Sequence, residues 1–284
     1  MSKNTILVPT DFSEVANHAL EHAIQVAKTF DNNIAILHVT EQGFLGGIFN
    51  KNSYDELVKE AMQSKMQTLA DKCAVAGISA SIHVKSGKVY KMVTEVADEL
   101  KCDSIIMGTH GASGIEAIMG SNASRVMNYA NQPVVVVKED CGTKASYKHI
   151  VFPVDLSAES KQKVQWAIHL AKYYKSTIHC VAFKYNDEFL VNQLNAQVAY
   201  IENKLKDNDV ASNTKWLEGN VASGVLNYAE AINADLILIM TQQDKGFSEY
   251  LLGSEAQQIV NHSGSVPVMC INPKEMGFLM NYGV

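Results

Sequence analysis

Much of the chemistry that a chain of 284 residues could advertise is missing from this one. It has no run of about eighteen apolar residues, so no membrane-spanning helix and no membrane partner are expected. It has no Cys-x-x-Cys. Its five cysteines (Cys73, Cys102, Cys141, Cys180 and Cys270) are scattered and odd in number, a pattern that suits reduced thiols in a cytoplasm. Basic residues are outnumbered, 24 Lys and Arg against 30 Asp and Glu, for a net charge of −6. That balance argues against a general nucleic-acid binder, which presents a basic face. G-x-G-x-x-G does not occur, nor G-x4-G-K-[S/T], nor G-x-S-x-G. Dinucleotide Rossmann sites, P-loop ATPases and the usual hydrolase elbow therefore have no support. The opening M-S-K-N-T-I-L-V-P carries no long apolar core before a small-residue cleavage site, so no signal peptide is expected.

What the chain does carry is concentrated between Ser104 and Arg125, S-I-I-M-G-T-H-G-A-S-G-I-E-A-I-M-G-S-N-A-S-R. A short apolar run, Ile105 to Met107, leads into Gly108 and Gly111. A helical pattern then begins after Gly120-Ser121-Asn122, with Ala123, Val126, Met127 and Ala130 on one face. Strand, glycine-rich loop and helix start, in that order, build a phosphate site. Glycines let backbone N–H groups approach an anion, and a helix N-terminus adds unpaired donors and a positive dipole end.

The rest of the chain alternates strand and helix. Thr5–Pro9 reads as a strand, and Ser13 is placed to cap a helix carrying Ala16, Ala19, Leu20, Ala23, Ile24 and Ala27 at helical spacing. A strand over Ile34–Val39 follows. Ser53-Tyr-Asp-Glu56 has the form of a capping box opening a long helix that stops at Gly77. A strand near Ala80–Val84, a helix from about Val89 to Lys101 and a last strand over Pro133–Val137 complete the pattern. Apolar strand runs without polar alternation indicate a parallel sheet buried on both faces. His18 and His22, one turn apart beside Glu21, read as a solvated helix face, because they lie opposite the apolar stripe.

Near residue 148 the chain begins again. Ile6-Leu-Val-Pro-Thr-Asp11-Phe-Ser13 is matched by Ile150-Val-Phe-Pro-Val-Asp155-Leu-Ser157, 144 residues later, and Gly87, Gly120-Ser121 and Pro133-Val134 recur as Gly219, Gly253-Ser254 and Pro267-Val268. This is a duplicated domain. The expected division is a first domain over 1–140, a linker over 141–147, a second domain over 148–272 and a tail over 273–284. The copies are unequal. Where the first reads G-T-H-G, the second reads Met240-Thr-Gln-Gln-Asp244 and offers no glycine, and Glu255 stands where the first has Asn122.

These residues together resemble the universal stress protein family in its tandem form. They are Pro9, Asp11 and Ser13 after the first strand, the Met-Gly-x-His-Gly of Met107, Gly108, His110 and Gly111, and the distant Gly120-Ser121. The resemblance implies two doubly wound five-stranded parallel-sheet α/β domains of the adenine-nucleotide alpha-hydrolase type, related by a pseudo-twofold axis. Ligand would sit at the carboxyl ends of strands 1 and 4, where strand order reverses. It implies ATP, with or without Mg²⁺, in the first domain and no cofactor in the second. Asp11 would hold the ribose or adenine side, the Val39 backbone would meet the adenine edge, and Pro9, Thr10 and Met107 would line the pocket. Gly108, Gly111, Gly120, Ser121 and Asn122 would cradle the phosphates, with His110 among the binding residues. ATP-binding members carry G-x2-G-x9-G-[S/T]; here eight residues separate Gly111 from Gly120.

Two readings stay open. One is a cytoplasmic stress-response protein that binds ATP or a related adenine nucleotide in its first domain, with at most slow hydrolysis. The other is a nucleotide-independent scaffold for partners, toward which the shorter glycine spacing and the eroded second copy weigh. An adenylylating enzyme of similar fold lacks its H-I-G-H, K-M-S-K-S or S-G-G-x-D-S motifs. Family members pair through their last strand, so Pro133–Val137 and Pro267–Ile271 are expected to pair antiparallel within the chain, leaving room for a homodimer of whole chains.

Overall fold

The computed structural model describes residues 4–40, 51–109, 119–138, 145–156, 160–243, 250–251 and 253–272. His110, Gly111, Asp244 and the tail 273–284 lie outside these. In the first half, β1 (Thr5–Pro9), β2 (Asn33–Thr40), β3 (Ala80–Ser86), β4 (Ser104–Gly108) and β5 (Val134–Val137) alternate with α1 (Glu14–Phe30), α2 (Lys51–Val75), α3 (Val89–Glu99) and α4 (Ser121–Tyr129). In the second half, β6 (His149–Val154), β7 (Thr177–Phe183), β8 (Ser212–Leu217), β9 (Leu236–Met240) and β12 (Val268–Ile271) alternate with α5 (Ser160–Tyr174), α6 (Glu188–Asp207), α7 (Val221–Ala231) and α8 (Ser254–His262). A two-stranded ribbon, β10 (Gln242–Gln243) with β11 (Tyr250–Leu251), stands between β9 and α8.

The two halves share one ten-stranded sheet, within which each half's own strands are all parallel, in the order β3-β2-β1-β4-β5-β12-β9-β6-β7-β8. β1 lies beside both β2 and β4, so the strand order reverses between β1 and β4. The expected antiparallel contact between last strands is present: Val134, Val135 and Val136 face Cys270, Met269 and Val268. The Val135–Met269 pair is the centre of the pseudo-twofold, because Val134 and Val136 exchange with Val268 and Cys270 under the repeat. An apolar sheet edge invites pairing with another chain; here each edge is covered by the other half.

Successive strand residues feed opposite faces, which is why both faces are apolar. Ile6 and Val8 join the core under α1, α2, α5 and α6, whereas Leu7 joins the core under α3, α4, α7 and α8. Both cores run across the seam between halves. Ser13 caps α1 by accepting the Ala16 N–H at 3.2 Å, and Asp31, in the left-handed conformation at φ 56°, ends it. The long helix begins at Lys51, so the capping-box residues Ser53 and Glu56 lie inside its first turns rather than ahead of them.

At the seam one expectation fails, that of His22, and Tyr147 is the reason. Tyr147, the last residue of the expected linker, is fully buried. His22 is not on a solvated face: it is 3% exposed, with its Nε2 2.7 Å from the Tyr147 hydroxyl. The α1 face opposite the first half's own apolar stripe is covered by the start of the second half. Burial pushes the His22 imidazole down to about 4. Among the described residues, no three His, Cys, Asp or Glu side chains cluster to hold a metal. No described helix is long and apolar enough to cross a membrane.

Candidate functional site

The reversal between β1 and β4 brings two chain ends together at the carboxyl edge of the sheet, where ligands sit in doubly wound folds. β1 ends at Pro9, which is buried, and the chain then folds tightly over Thr10–Ser13. The Thr10 N–H donates to the Leu37 carbonyl at 2.8 Å, tying the turn to β2. The Thr10 hydroxyl accepts the Phe12 N–H at 3.0 Å, and its carbonyl lies 2.8 Å from His38 Nδ1. Phe12 takes a positive φ of 66° and stacks 4.8 Å from the His38 ring. Asp11 Oδ1 accepts the Ser13 N–H at 3.0 Å, while its residue is exposed. Asp11 is therefore not the helix cap: Ser13 does that work, and the Asp11 carboxylate braces the cap from the solvent side. Lys65 of α2 stands over the Phe12 ring, 5.3 Å from its centre.

On the facing side, β4 ends at Gly108. A Cβ there would lie 2.8 Å from Val15 Cγ1 and 3.2 Å from the Val15 backbone carbon. The glycine thus has a packing reason: it lets the first turn of α1 close onto β4. The chain returns at Met119 and Gly120. The Gly120 N–H donates to the Thr109 carbonyl at 2.7 Å, which pins the start of α4 to the end of β4. Gly120 is the N-cap of α4; no side chain caps the helix, and its first turn holds no acidic residue. Ser121 is exposed and Asn122 half-buried at that end. A helix terminus of this kind presents N–H groups and a positive dipole end. Met107 is buried in β4 and Val39 half-buried near the end of β2. The structure therefore brings Pro9, Thr10, Asp11, Met107, Gly108, Gly120, Ser121 and Asn122 to one edge, with Val39 beside them. Arg125, one turn along α4, lies 5.3 Å over the Tyr90 ring of α3.

The same edge of the second half is built differently. Strand register resolves the alignment. Ile6 pairs with Ser104 and its repeat Ile150 with Leu236, so Gly108 corresponds to Met240 and Thr109 to Thr241. Both threonines donate their N–H to the last strand, Thr109 to Val137 at 3.1 Å and Thr241 to Ile271 at 3.0 Å. No glycine occupies the strand end, and the β10–β11 ribbon follows it. Asp155, the counterpart of Asp11, is held by Lys163 at 3.5 Å. Lys163 is 5% exposed, donates to the Pro153 carbonyl and lies 4.7 Å over the Phe152 ring. At the repeat interval of 144, Lys163 stands where α1 has Ala19. That replacement of a core alanine by lysine is the signal that could have identified the occupant of this site. Glu255 lies in the first turn of α8, where a carboxylate opposes anion binding.

The second half also touches the first half's site. Asn261, in α8, accepts the Met119 N–H at 2.9 Å through Oδ1, one residue before Gly120. Its carbonyl accepts from Lys138, just beyond β5. At the far end of α4, Asn272 Nδ2 of the second half donates to the Ala130 carbonyl at 2.7 Å.

Comparison with known proteins adds a family. The model described as "Universal stress protein family" matches twice, over residues 3–138 and 146–272. Universal stress protein MJ0531 of Methanocaldococcus jannaschii is 34% identical over 138 residues, covering 47% of this chain and 81% of that protein. Universal stress protein G of Salmonella typhimurium is 28% identical over 140 residues, 47% of this chain and 98% of its own length. Each of these relatives thus matches about half of the chain. A solved universal stress protein from Archaeoglobus fulgidus covers 96% of this chain and all of its own, with a TM-score of 0.77 at 21% identity, a likeness of fold.

Proposed function

The chain belongs to the universal stress protein family, and from that premise we propose that it binds ATP or a related adenine nucleotide in its first domain alone. The domains we assign are 1–140 and 148–272. The observation that carries the reading is the first half's strand-reversal edge. There the exposed Asp11 lies at the same edge as the acid-free start of α4, which no side chain caps and which Gly120 anchors to β4. A nucleotide needs acceptors at its ribose hydroxyls and donors at its phosphates, and this edge places one beside the other. In our reading Asp11 takes the ribose, the Val39 backbone meets the adenine, Pro9, Thr10 and Met107 line the pocket, and Gly108, Gly120, Ser121 and Asn122 surround the phosphates. His110 and Gly111, in the intervening loop, complete the set by their place in the motif.

The second domain, in this reading, is a regulatory partner that holds no nucleotide. Met240 and the neutralising Lys163 occupy its edge, and Glu255 adds charge of the wrong sign. The whole protein acts in the cytoplasmic stress response as a binding protein, with nucleotide state in the first domain read through contacts such as Asn261 on Met119.

The test is mass spectrometry of ligand released from the purified chain, followed by calorimetric titration. We expect one adenine nucleotide per chain and a loss of at least about tenfold in affinity, 1.4 kcal/mol, in Asp11→Ala and in Gly120→Val. No bound nucleotide and no titratable heat with ATP would favour the scaffold reading. ATP binding unchanged in both variants would move the site elsewhere.

A further inference from the structure

We infer that the cavity at the amino-terminal edge of the sheet, where the two halves meet, is a second ligand site that takes a small organic cation carrying N–H donors on an apolar stem. The cavity has a volume of about 900 Å³, within the range of small-molecule sites. It opens at the end of the strands opposite the nucleotide edge. The five residues of β1 separate the two, roughly 15 Å at the rise of a strand.

Its first-half wall is rich in hydrogen-bond acceptors. Asn32 and Gln132 both line it, 6% and 3% exposed, and Asn32 Oδ1 and Gln132 Oε1 are buried without a hydrogen-bond partner. A buried acceptor left unpaired is unfavourable, and two on residues of one cavity wall suit a donor from outside the chain. Gln132 cannot turn its amide to escape, because its Nε2 already donates to Asp98 Oδ1 at 2.9 Å. Asp103, next along this wall, accepts the Thr5 N–H at 2.8 Å. Burial raises its pKa above the ordinary carboxylate value, so a cation placed beside it would be welcome. Asp98 and Asp103 outnumber the one lysine of the lining, Lys101.

The second-half wall is aromatic. α5 contributes Trp166, Tyr173 and Tyr174. Tyr174 is fixed edge-on to Tyr147, Phe30 and Tyr173, with ring centres 4.6 to 4.9 Å apart. Burial also lowers the pKa of His169 on this wall, which favours its uncharged form. Acceptors and carboxylates on one side and aromatic rings on the other match a cationic head on an apolar stem. An anionic ligand would meet the carboxylates, and a purely apolar one would leave both amides unsatisfied.

The experiment uses the full chain and agmatine, a guanidinium on a short alkyl stem. Trp166 and Trp216 are the two tryptophans, so Trp216→Phe leaves Trp166 as the reporter. We expect a saturable change in its fluorescence with a midpoint below about 1 mM, near −4 kcal/mol. Asn32→Leu and Gln132→Leu should each raise the midpoint at least tenfold, and Asn32→Asp, which replaces the amide by a carboxylate, should lower it. ATP titration should be the same in all of them. An unsaturable response at several millimolar agmatine would overturn the proposal. So would equal midpoints in the parent, Asn32→Leu and Asn32→Asp, or an equal response to 1-pentanol.

Discussion

At one edge of the sheet, the first half leaves a glycine and an exposed carboxylate where the second half has a methionine and a carboxylate gripped by a buried lysine. The backbones are near copies: the same strand order, the same threonine donating to the last strand, the same helix start behind a glycine N-cap. A duplicated fold therefore need not repeat its edge residues. Phosphate donors demand small residues and no nearby acid. The second half has Met240 at the strand end and Glu255 in the first turn of α8, yet it keeps every element of the architecture, because core packing and strand pairing carry the fold and the edge residues do not.

The comparison breaks most completely if the halves are parted. Val136 pairs with Met107 on one side and Val268 on the other, buried in the middle of ten strands. Val136→Pro removes a ladder donor and should cost at least about 3 kcal/mol. Urea unfolding should show a midpoint shifted down sharply. Stability within 1 kcal/mol of the native chain would mean that the seam contributes little and that each half stands alone.

Acid should weaken the first half's side of the seam. His22 falls from its ordinary 6.5 to about 4 in the folded chain. A base whose folded pKa lies below its unfolded value binds more protons unfolded, so stability rises with pH between the two values. The native chain should therefore lose stability as pH drops from about 6.5 to about 4, on the order of 3 kcal/mol in full. At the repeat interval, α5 has Trp166 in place of His22, so that position has no titrating counterpart. The check is the unfolding free energy against pH for the native chain and His22→Gln. The two curves should converge toward pH 4; parallel curves would remove His22 as the source.

Exchanging the edge residues sharpens the contrast. In Gly108→Met, the residue of the second half enters the first, and its Cβ would press on the Val15 side chain and backbone. Overpacking of that kind costs about 1–3 kcal/mol. The α1 start carrying Asp11 should shift with it, so ATP affinity should fall too. Unfolding and calorimetry on one preparation measure both. A variant as stable as the native chain would show that the Val15 contact yields freely.

Part of this was legible in the sequence. The repeat of Ile6–Ser13 at Ile150–Ser157 announced two domains, since each strand and cap is local. Gly120 announced a helix start for the same reason. Tertiary contact hid the rest. Amphipathicity read within one half put His22 on a solvated face, because the covering Tyr147 comes from the next half. Gly108 read as a phosphate glycine from its place in the motif. Its closeness to Val15 depends on how α1 docks, which no spacing encodes. The alignment around Met240 was ambiguous by one residue until strand register settled it. His110 and Gly111 lie outside the described residues, and the motif remains their only support.

The smallest effect tests which second-half residue keeps nucleotide out. Lys163→Met retains the apolar stem over Phe152 and removes the ammonium from Pro153 and Asp155. The carboxylate side chain of Asp155 is 41% exposed, so solvent screens the pair and its loss costs little. Methionine fills the same volume, which such swaps tolerate. The net change in stability should stay within about 1 kcal/mol. Nucleotide stoichiometry should stay at one per chain, because freeing a carboxylate supplies no phosphate donor and Met240 and Glu255 remain. Equilibrium dialysis with ATP, at concentrations well above the first site's midpoint, measures it. A second equivalent bound by Lys163→Met alone would show that the lysine by itself closes the second site, and that the missing glycines matter less than the charge that replaced an alanine.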